Sequence, residues 1–270
     1  MKPSTLLDEL RVRPGDAPGL DRRDPGARLG AADKPAGIER LAELVEQLGV
    51  LHNRLYAEAK HSVLLVLQGM DAAGKDGVIR SVFTGVNPQG CRVESFKAPA
   101  PIELAHDFLW RVHALCPADG EIAIFNRSHY EDVVVVRVHK LVDDKIWRRR
   151  YAHIRAFEAL LGDEGTSVVK VFLHESKEEQ RQRLQERLDD PEKRWKFRAG
   201  DLDDRALWDD FQAAYEDAIS ATSTEDAPWY VVPADHNWSR NLCVAEILVD
   251  ALKRLDPELP EPVADKAAIV

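Results

Sequence analysis

Residues 62 to 80 constrain this chain more than any other stretch. Ser62-Val-Leu-Leu-Val-Leu-Gln68 is an apolar run of strand length, it flows into Gly69-Met-Asp-Ala-Ala-Gly-Lys-Asp-Gly77, and a helical pattern begins at Val78-Ile79-Arg80. Glycine spares the backbone a Cβ, so successive N–H groups can turn towards an anion, and the helix that follows adds its positive end. The spacing of Gly69, Gly74 and Lys75 matches a phosphate-binding loop, with contacts expected from Ala72, Ala73, Gly74, Lys75, Asp76 and Gly77. One position departs from the usual pattern: Asp76 stands where a serine or threonine hydroxyl would hold magnesium. A plain strand-to-helix turn with glycines for close packing is the competing reading. It leaves the two acids beside Lys75, Asp71 and Asp76, unexplained.

The rest of the sequence alternates strand and helix signals. After an N-terminal arm, residues 1–36, rich in Pro, Gly, Arg and Asp and without periodicity, Leu41, Leu44, Leu48, Leu51 and Leu55 recur at helical spacing. This stripe suits core or oligomer contact. Further strands are expected at 91–96, 121–125, 167–173 and 229–232, with helices from Pro101, over 131–136, 143–161, 177–188, 203–219 and 238–255. The pattern predicts an α/β fold, a three-layer α/β/α sandwich on a mostly parallel five-stranded sheet. One main domain spans 37–256, and the tail at 257–270 is expected to be loose. Ligands of such sheets bind at the carboxyl ends of the strands, where Asn126-Arg127-Ser128-His129-Tyr130-Glu131-Asp132 emerges.

Composition excludes several classes. A net charge of −10 argues against a general nucleic-acid binder, so a polyanionic ligand must meet a local positive patch. One candidate is the stretch from Lys177 to Arg198, which holds eight basic residues against six acids. Cys91, Cys116 and Cys243 are scattered and odd in number, which suits a reducing cytoplasm rather than a disulfide framework or zinc ribbon. No apolar stretch approaches the about 18 residues of a membrane span. No membrane or nucleic-acid partner is therefore expected.

Three stretches together resemble the polyphosphate kinase 2 family of P-loop kinases: Gly69 to Gly77, Phe125-Asn-Arg-Ser-His-Tyr130, and Ser176-Lys-Glu-Glu-Gln180 through Arg183 to Pro191-Glu-Lys-Arg-Trp-Lys196. With Trp229-Tyr-Val-Val-Pro233 the resemblance covers roughly residues 40 to 255, and Asp76 is itself the residue the family carries there. It implies a thymidylate-kinase-like fold with a helical lid over about 176–205. It also implies phosphoryl transfer between inorganic polyphosphate and adenine nucleotides, guanine nucleotides as well, with Mg2+ or Mn2+, in a cytoplasmic homo-oligomer, dimer or tetramer.

Carried over residue by residue, Asp71 matches the aspartate tied to metal and catalysis, Lys75 the phosphate-binding lysine, Arg127 the arginine of the second motif and Arg183 a lid arginine that grips phosphate. Arg80, Arg187, Lys193 and Lys196 would line the polyphosphate groove. Asn126 and Asp132 depart from the commonest second motif, in which an aspartate precedes the arginine and another arginine lies five positions on. They resemble the third class, which accepts AMP as well as ADP. In that reading Asn126, Glu131 and Asp132 face the acceptor and Asp132 offers a second metal ligand. Two competitors stay open: an ATP-dependent nucleoside or nucleotide kinase, and a non-catalytic polyphosphate or nucleotide sensor.

Overall fold

The computed structural model describes residues 3–261. In chain order the elements are α1 (Pro3–Leu10), β1 (Arg11–Val12), α2 (Lys34–Glu58), β2 (Ser62–Gly69), α3 (Lys75–Val82), β3 (Cys91–Ser95), α4 (Pro101–Leu104), α5 (Trp110–His113), β4 (Ile122–Asn126) and α6 (Glu131–Val138). They continue with α7 (Asp144–Asp163), β5 (Thr166–His174), α8 (Lys177–Asp189), a 3-10 turn (Arg194–Lys196), α9 (Ala199–Ala206), α10 (Trp208–Thr222), β6 (Trp229–Pro233) and α11 (Asn237–Leu255). Within the expected tail, residues 257–261 have no regular structure, and 262–270 lie outside the described residues.

All eight residues of β2 are buried, as the unbroken apolar run requires of a central parallel strand. Alternation splits them between two cores. Val63, Leu65 and Leu67 pack in a cluster with residues of α1, α2, α3 and α11, while Leu64 and Val66 join residues of α5, α6, α7 and α10. The outcome is the expected three-layer sandwich. Leu44, Leu48 and Leu55, the stripe of α2, are spent inside this core beside α11 residues such as Leu248 and Leu252. The stripe therefore offers no argument for an oligomer contact.

Among the described residues the sheet has six strands rather than five, in the order β1-β6-β5-β2-β4-β3. The extra strand comes from the arm that was expected to be irregular. Arg11 pairs with Tyr230 and Val12 with Trp229, antiparallel, whereas the other pairings are parallel. Its driving force is apolar: Leu6 and Leu10 enter one core, Val12 and Leu20 the other. Both oxygens of Glu216 then accept the backbone N–H groups of Gly19 and Leu20 at 2.9 Å. The arm is also helical at its start: Leu6 and Leu10, four apart on α1, make one turn of repeat, too short to read as a period, but with Val12 and Leu20 they suffice to dock it. Two further expectations are corrected. The helix expected over 203–219 is broken at Leu207 into α9 and α10, and the one from Pro101 is two short helices, α4 and α5.

Parallel register brings the strand ends to one edge. Leu67 pairs with Asn126, Gly69 with Leu173 and His174 with Pro233, so the loops after β2, β4, β5 and β6 emerge together. If the arm belongs to the core, Leu10→Ala should cost about 2–5 kcal/mol, the range for a buried leucine. A urea-unfolding midpoint indistinguishable from the parent's would show the arm to be dispensable.

Candidate active site

The loop between β2 and α3 owes its path to local conformation. Gly69 has φ +154°, and a Cβ there would lie 2.9 Å from the Leu173 carbonyl oxygen of the neighbouring strand. Gly74, at φ +96°, turns the chain into α3 from a left-handed conformation that disfavours side chains. Ala73 N–H closes a turn on Met70 O at 3.2 Å, while the N–H groups of Ala72 and Gly74 have no protein acceptor among the described residues. With the free donors of the first turn of α3 they form a cradle for an anion. Lys75 is buried there, its Nζ donating to Gly69 O at 2.8 Å and Met70 O at 3.1 Å.

The second motif leaves β4 at the adjacent position. Arg127 adopts φ +62°, its N–H donates to Leu67 O at 3.1 Å, and Ser128 behind it accepts from Gln68 Nε2 at 3.0 Å. Its guanidinium forms an ion pair with Asp71 of the loop and donates to Glu131 Oε2 at 3.1 Å. Asn126 Nδ2 donates to Asp76 Oδ1 at 2.9 Å, and Lys196 of the lid reaches the other oxygen at 3.2 Å. Asp71, Lys75, Asp76, Asn126, Arg127, Glu131 and Lys196 are thus gathered as read from the sequence.

Other expected residues are placed differently. Arg183, only 12 % exposed, donates to Ala72 O at 3.2 Å and Ala234 O at 2.7 Å and pairs with Glu175 and Glu179. In this state it clamps the loop from outside. Arg187 pairs with Asp201 across the lid at 3.5 Å, and Lys193 with Asp190 at 2.8 Å. Arg80 is exposed in the last turn of α3. Asp132 is a correction: α6 turns its buried carboxylate away from the loop, towards Arg111 at 3.6 Å and Arg150 at 3.5 Å. Its ion pairs are with those two arginines, though burial outweighs them and raises its pKa, and it does not stand beside Asp71 as a second metal ligand. His129 is buried against Glu158 at 3.3 Å, in keeping with a structural role.

Electrostatics follow from burial. Desolvation, then the nearby Arg127, lowers the Lys75 pKa to about 8, against the opposing pull of Asp71. Arg127 is held firmly charged, first by Glu131 and, against burial, by Asp71. Burial raises Asp76, but the bonds from Asn126 and Lys196 outweigh it and keep the carboxyl below its ordinary value. Glu175 is pushed up to about 8, chiefly by burial, with Arg183 opposing. Glu175 and Arg240 touch or face this site without having been marked in the sequence, and Gln180, quoted there in the third stretch, was given no role. Gln180 Nε2 donates to Asp71 O at 3.0 Å, and Arg240 Nη1 to Ala73 O at 3.3 Å.

Free backbone donors next to cations that bracket an aspartate suit phosphoryl chemistry, and the loop on this parallel sheet places the chain among the P-loop kinases. Comparison with known proteins narrows the class. The sequence model described as Polyphosphate kinase 2 matches residues 31–260, and the chain belongs to that family. It is 57% identical over 265 residues to the AMP/ADP-polyphosphate phosphotransferase of Meiothermus ruber, covering 98% of this chain and 99% of the relative. The ADP-polyphosphate phosphotransferase of Rhodopseudomonas palustris is 48% identical over 235 residues, 83% and 81% of the two chains. A crystal structure of polyphosphate kinase 2 from Arthrobacter aurescens superposes with a TM-score of 0.94 at 43% identity, covering 99% of this chain and 95% of the other.

The depressed Lys75 gives a pH signature. Between its folded value of about 8 and the ordinary 10.5, the free protein's lysine is neutral, so binding a polyanion there must take up a proton. Tripolyphosphate affinity, measured by calorimetry, should therefore weaken as pH rises above about 8. Lys75→Met should flatten the profile, and a flat profile in the parent would contradict the assignment.

Proposed function

We propose that this polyphosphate-dependent nucleotide phosphotransferase moves the terminal phosphoryl group of inorganic polyphosphate to AMP and to ADP, making ADP and ATP, and runs reversibly. What carries the reading is the pairing of Asp71 with Arg127 at the mouth of a loop whose Ala72 and Gly74 N–H groups are free. The names of the Meiothermus ruber and Rhodopseudomonas palustris relatives support polyphosphate as one substrate and AMP or ADP as the other. Guanine nucleotides, a cytoplasmic location and a dimeric or tetrameric assembly are parts of the same proposal.

Phosphoryl transfer leaves a protein little covalent work. Catalysis is in-line positioning and neutralisation of charge on the transferring oxygens. The loop N–H groups and Lys75 would hold the donor chain. Arg127, between Asp71 and Glu131, is kept charged and oriented to meet the group in transit. An acceptor phosphate, with a second pKa of about 6, is largely ionised at neutral pH, so no general base is needed. Asn126, neutral where a carboxylate would repel, lets that phosphate approach.

Magnesium suits this donor set. The ion takes hard oxygen ligands, commonly one or two carboxylates plus substrate phosphates. Asp71 and Glu131, both partners of Arg127, are the carboxylates on hand. Either Mg2+ or Mn2+ would supply charge neutralisation on the phosphates.

Purified protein with Mg2+ and polyphosphate should phosphorylate AMP and ADP offered separately. ATP offered as donor to nucleosides and monophosphates should give no comparable product. Formation of product from neither nucleotide would defeat the proposal. Asp71→Asn should lower kcat about 100-fold or more with the fold intact, as expected for a lost charge at the transferring group.

A further inference from the structure

The phosphate loop is held from outside as well as inside. Three consecutive carbonyls face away from the cradle, each with its own side-chain donor. Gln180 Nε2 reaches Asp71 O at 3.0 Å, Arg183 Nη1 reaches Ala72 O at 3.2 Å and Arg240 Nη1 reaches Ala73 O at 3.3 Å. In a trans peptide the C=O and the following N–H point in opposite directions. Fixing Asp71 O and Ala73 O outward therefore aims the Ala72 and Gly74 N–H groups, the two without protein acceptors, into the cradle.

Of these donors Arg240 is the unusual one. It lies on α11, 163 positions past Gly77 in sequence, and is only 2 % exposed. Every acceptor it has is neutral: Ala73 O, Asn237 Oδ1 at 2.7 Å, and Asn241 Oδ1 at 3.1 and 2.9 Å from Nε and Nη2. No carboxylate pairs with it among the described residues; the nearby Glu175 and Glu179 pair with Arg183 instead. Buried charges are ordinarily paired, since leaving one unpaired is costly. Burial accordingly lowers the Arg240 pKa to about 10, with Arg183 adding to the effect.

The loop sequence makes room for this cation. The guanidinium occupies the space that a Cβ on Gly74 would need, and a Cβ on Gly77 would lie 2.9 Å from Nη2. Gly77 needs no left-handed conformation, and inside a helix glycine is disfavoured relative to alanine. Seating Arg240 gives that glycine a reason.

We propose that Arg240 is a positioning residue for the phosphoryl donor: it aims the Gly74 N–H into the cradle and holds beneath the loop a buried positive charge that the bound polyphosphate chain neutralises. This rests on polyphosphate being the donor, as proposed above. Arg240 acts through the loop and touches no reacting atom.

Tripolyphosphate binding by calorimetry, steady-state kinetics and thermal melting of the full chain, as parent, Arg240→Gln, Arg240→Lys and Gly77→Ala, test it. Arg240→Gln should weaken tripolyphosphate binding about tenfold or more, the scale of a lost charged hydrogen-bonding group. The KM for polyphosphate should rise while that for the acceptor nucleotide holds. Arg240→Lys, which keeps the charge, should recover several-fold of the loss. Gly77→Ala favours the helix but crowds the guanidinium, so it should melt no lower than the parent and still bind tripolyphosphate several-fold more weakly; this variant decides the matter if Arg240→Gln does not fold. Parent-like affinity in folded Arg240→Gln or in Gly77→Ala would overturn the proposal, as would equal losses in the Gln and Lys variants. A parent protein that binds no polyphosphate would overturn the donor assignment itself, a separate outcome.

Discussion

The site exists because β2 pairs in parallel with β4 on one side and β5 on the other, in a single register. Leu67 opposite Asn126 and Gly69 opposite Leu173 set how far each strand runs before its chain turns. Side chains on a strand alternate between faces, so a slip of one residue would exchange the faces of Val63, Leu65 and Leu67 for those of Leu64 and Val66. Both faces are sealed by different helices, and such an exchange would mismatch two cores at once. The meeting of Asp71 with Arg127 is therefore decided by apolar packing well below the charged groups.

Polar anchors behind the sheet's edge hold the second motif in its unusual shape. Arg127 sits at positive φ, a conformation that costs a non-glycine residue of order 1–3 kcal/mol and needs support from its surroundings. Gln68 gives that support at Ser128, and Tyr215 in turn donates to Gln68 at 3.3 Å. Deeper in the same core, Lys170 on β5 pairs with Glu158 at 2.5 Å and donates to Thr222 O at 2.7 Å, while Tyr130 OH donates to Glu158 at 2.8 Å. Each charged member is buried yet satisfied, which is the condition under which such a network rigidifies rather than weakens a core.

What could be read from the sequence was what is local or periodic. The loop from Gly69 to Gly77 announces itself through its glycines, and Asn126 to Asp132 through its place at the end of a short apolar strand. The capping of α8 was equally plain, with Ser176 accepting from Glu179 N–H at 3.1 Å. Roles that depend on direction were not legible. Asp132 lies one residue beyond Glu131, yet a helix sends neighbours about 100° apart, and it faces Arg111 and Arg150 instead of the loop. Arg183 is where the reading placed it but points at backbone carbonyls. Arg240 was invisible because it lies in α11, a helix otherwise read by its leucines, and only the folded chain carries it back to Ala73. The docked arm escaped because its helical repeat is a single pair, Leu6 and Leu10, and Val12 and Leu20 beyond it follow no period.

That arm also changes what the sheet shows to its surroundings. With Arg11 and Val12 laid along β6, one border of the sheet is the two-residue β1, and β3 forms the other. Unpaired strand borders are templates for another chain's backbone, and proteins often blunt them with charge. On β3, Arg92 pairs with Glu94 at 2.9 Å and reaches Glu121 at 3.2 Å. One border is thus cut to two residues and the other fenced by ions, so strand-to-strand polymerisation is discouraged from both sides by different physics.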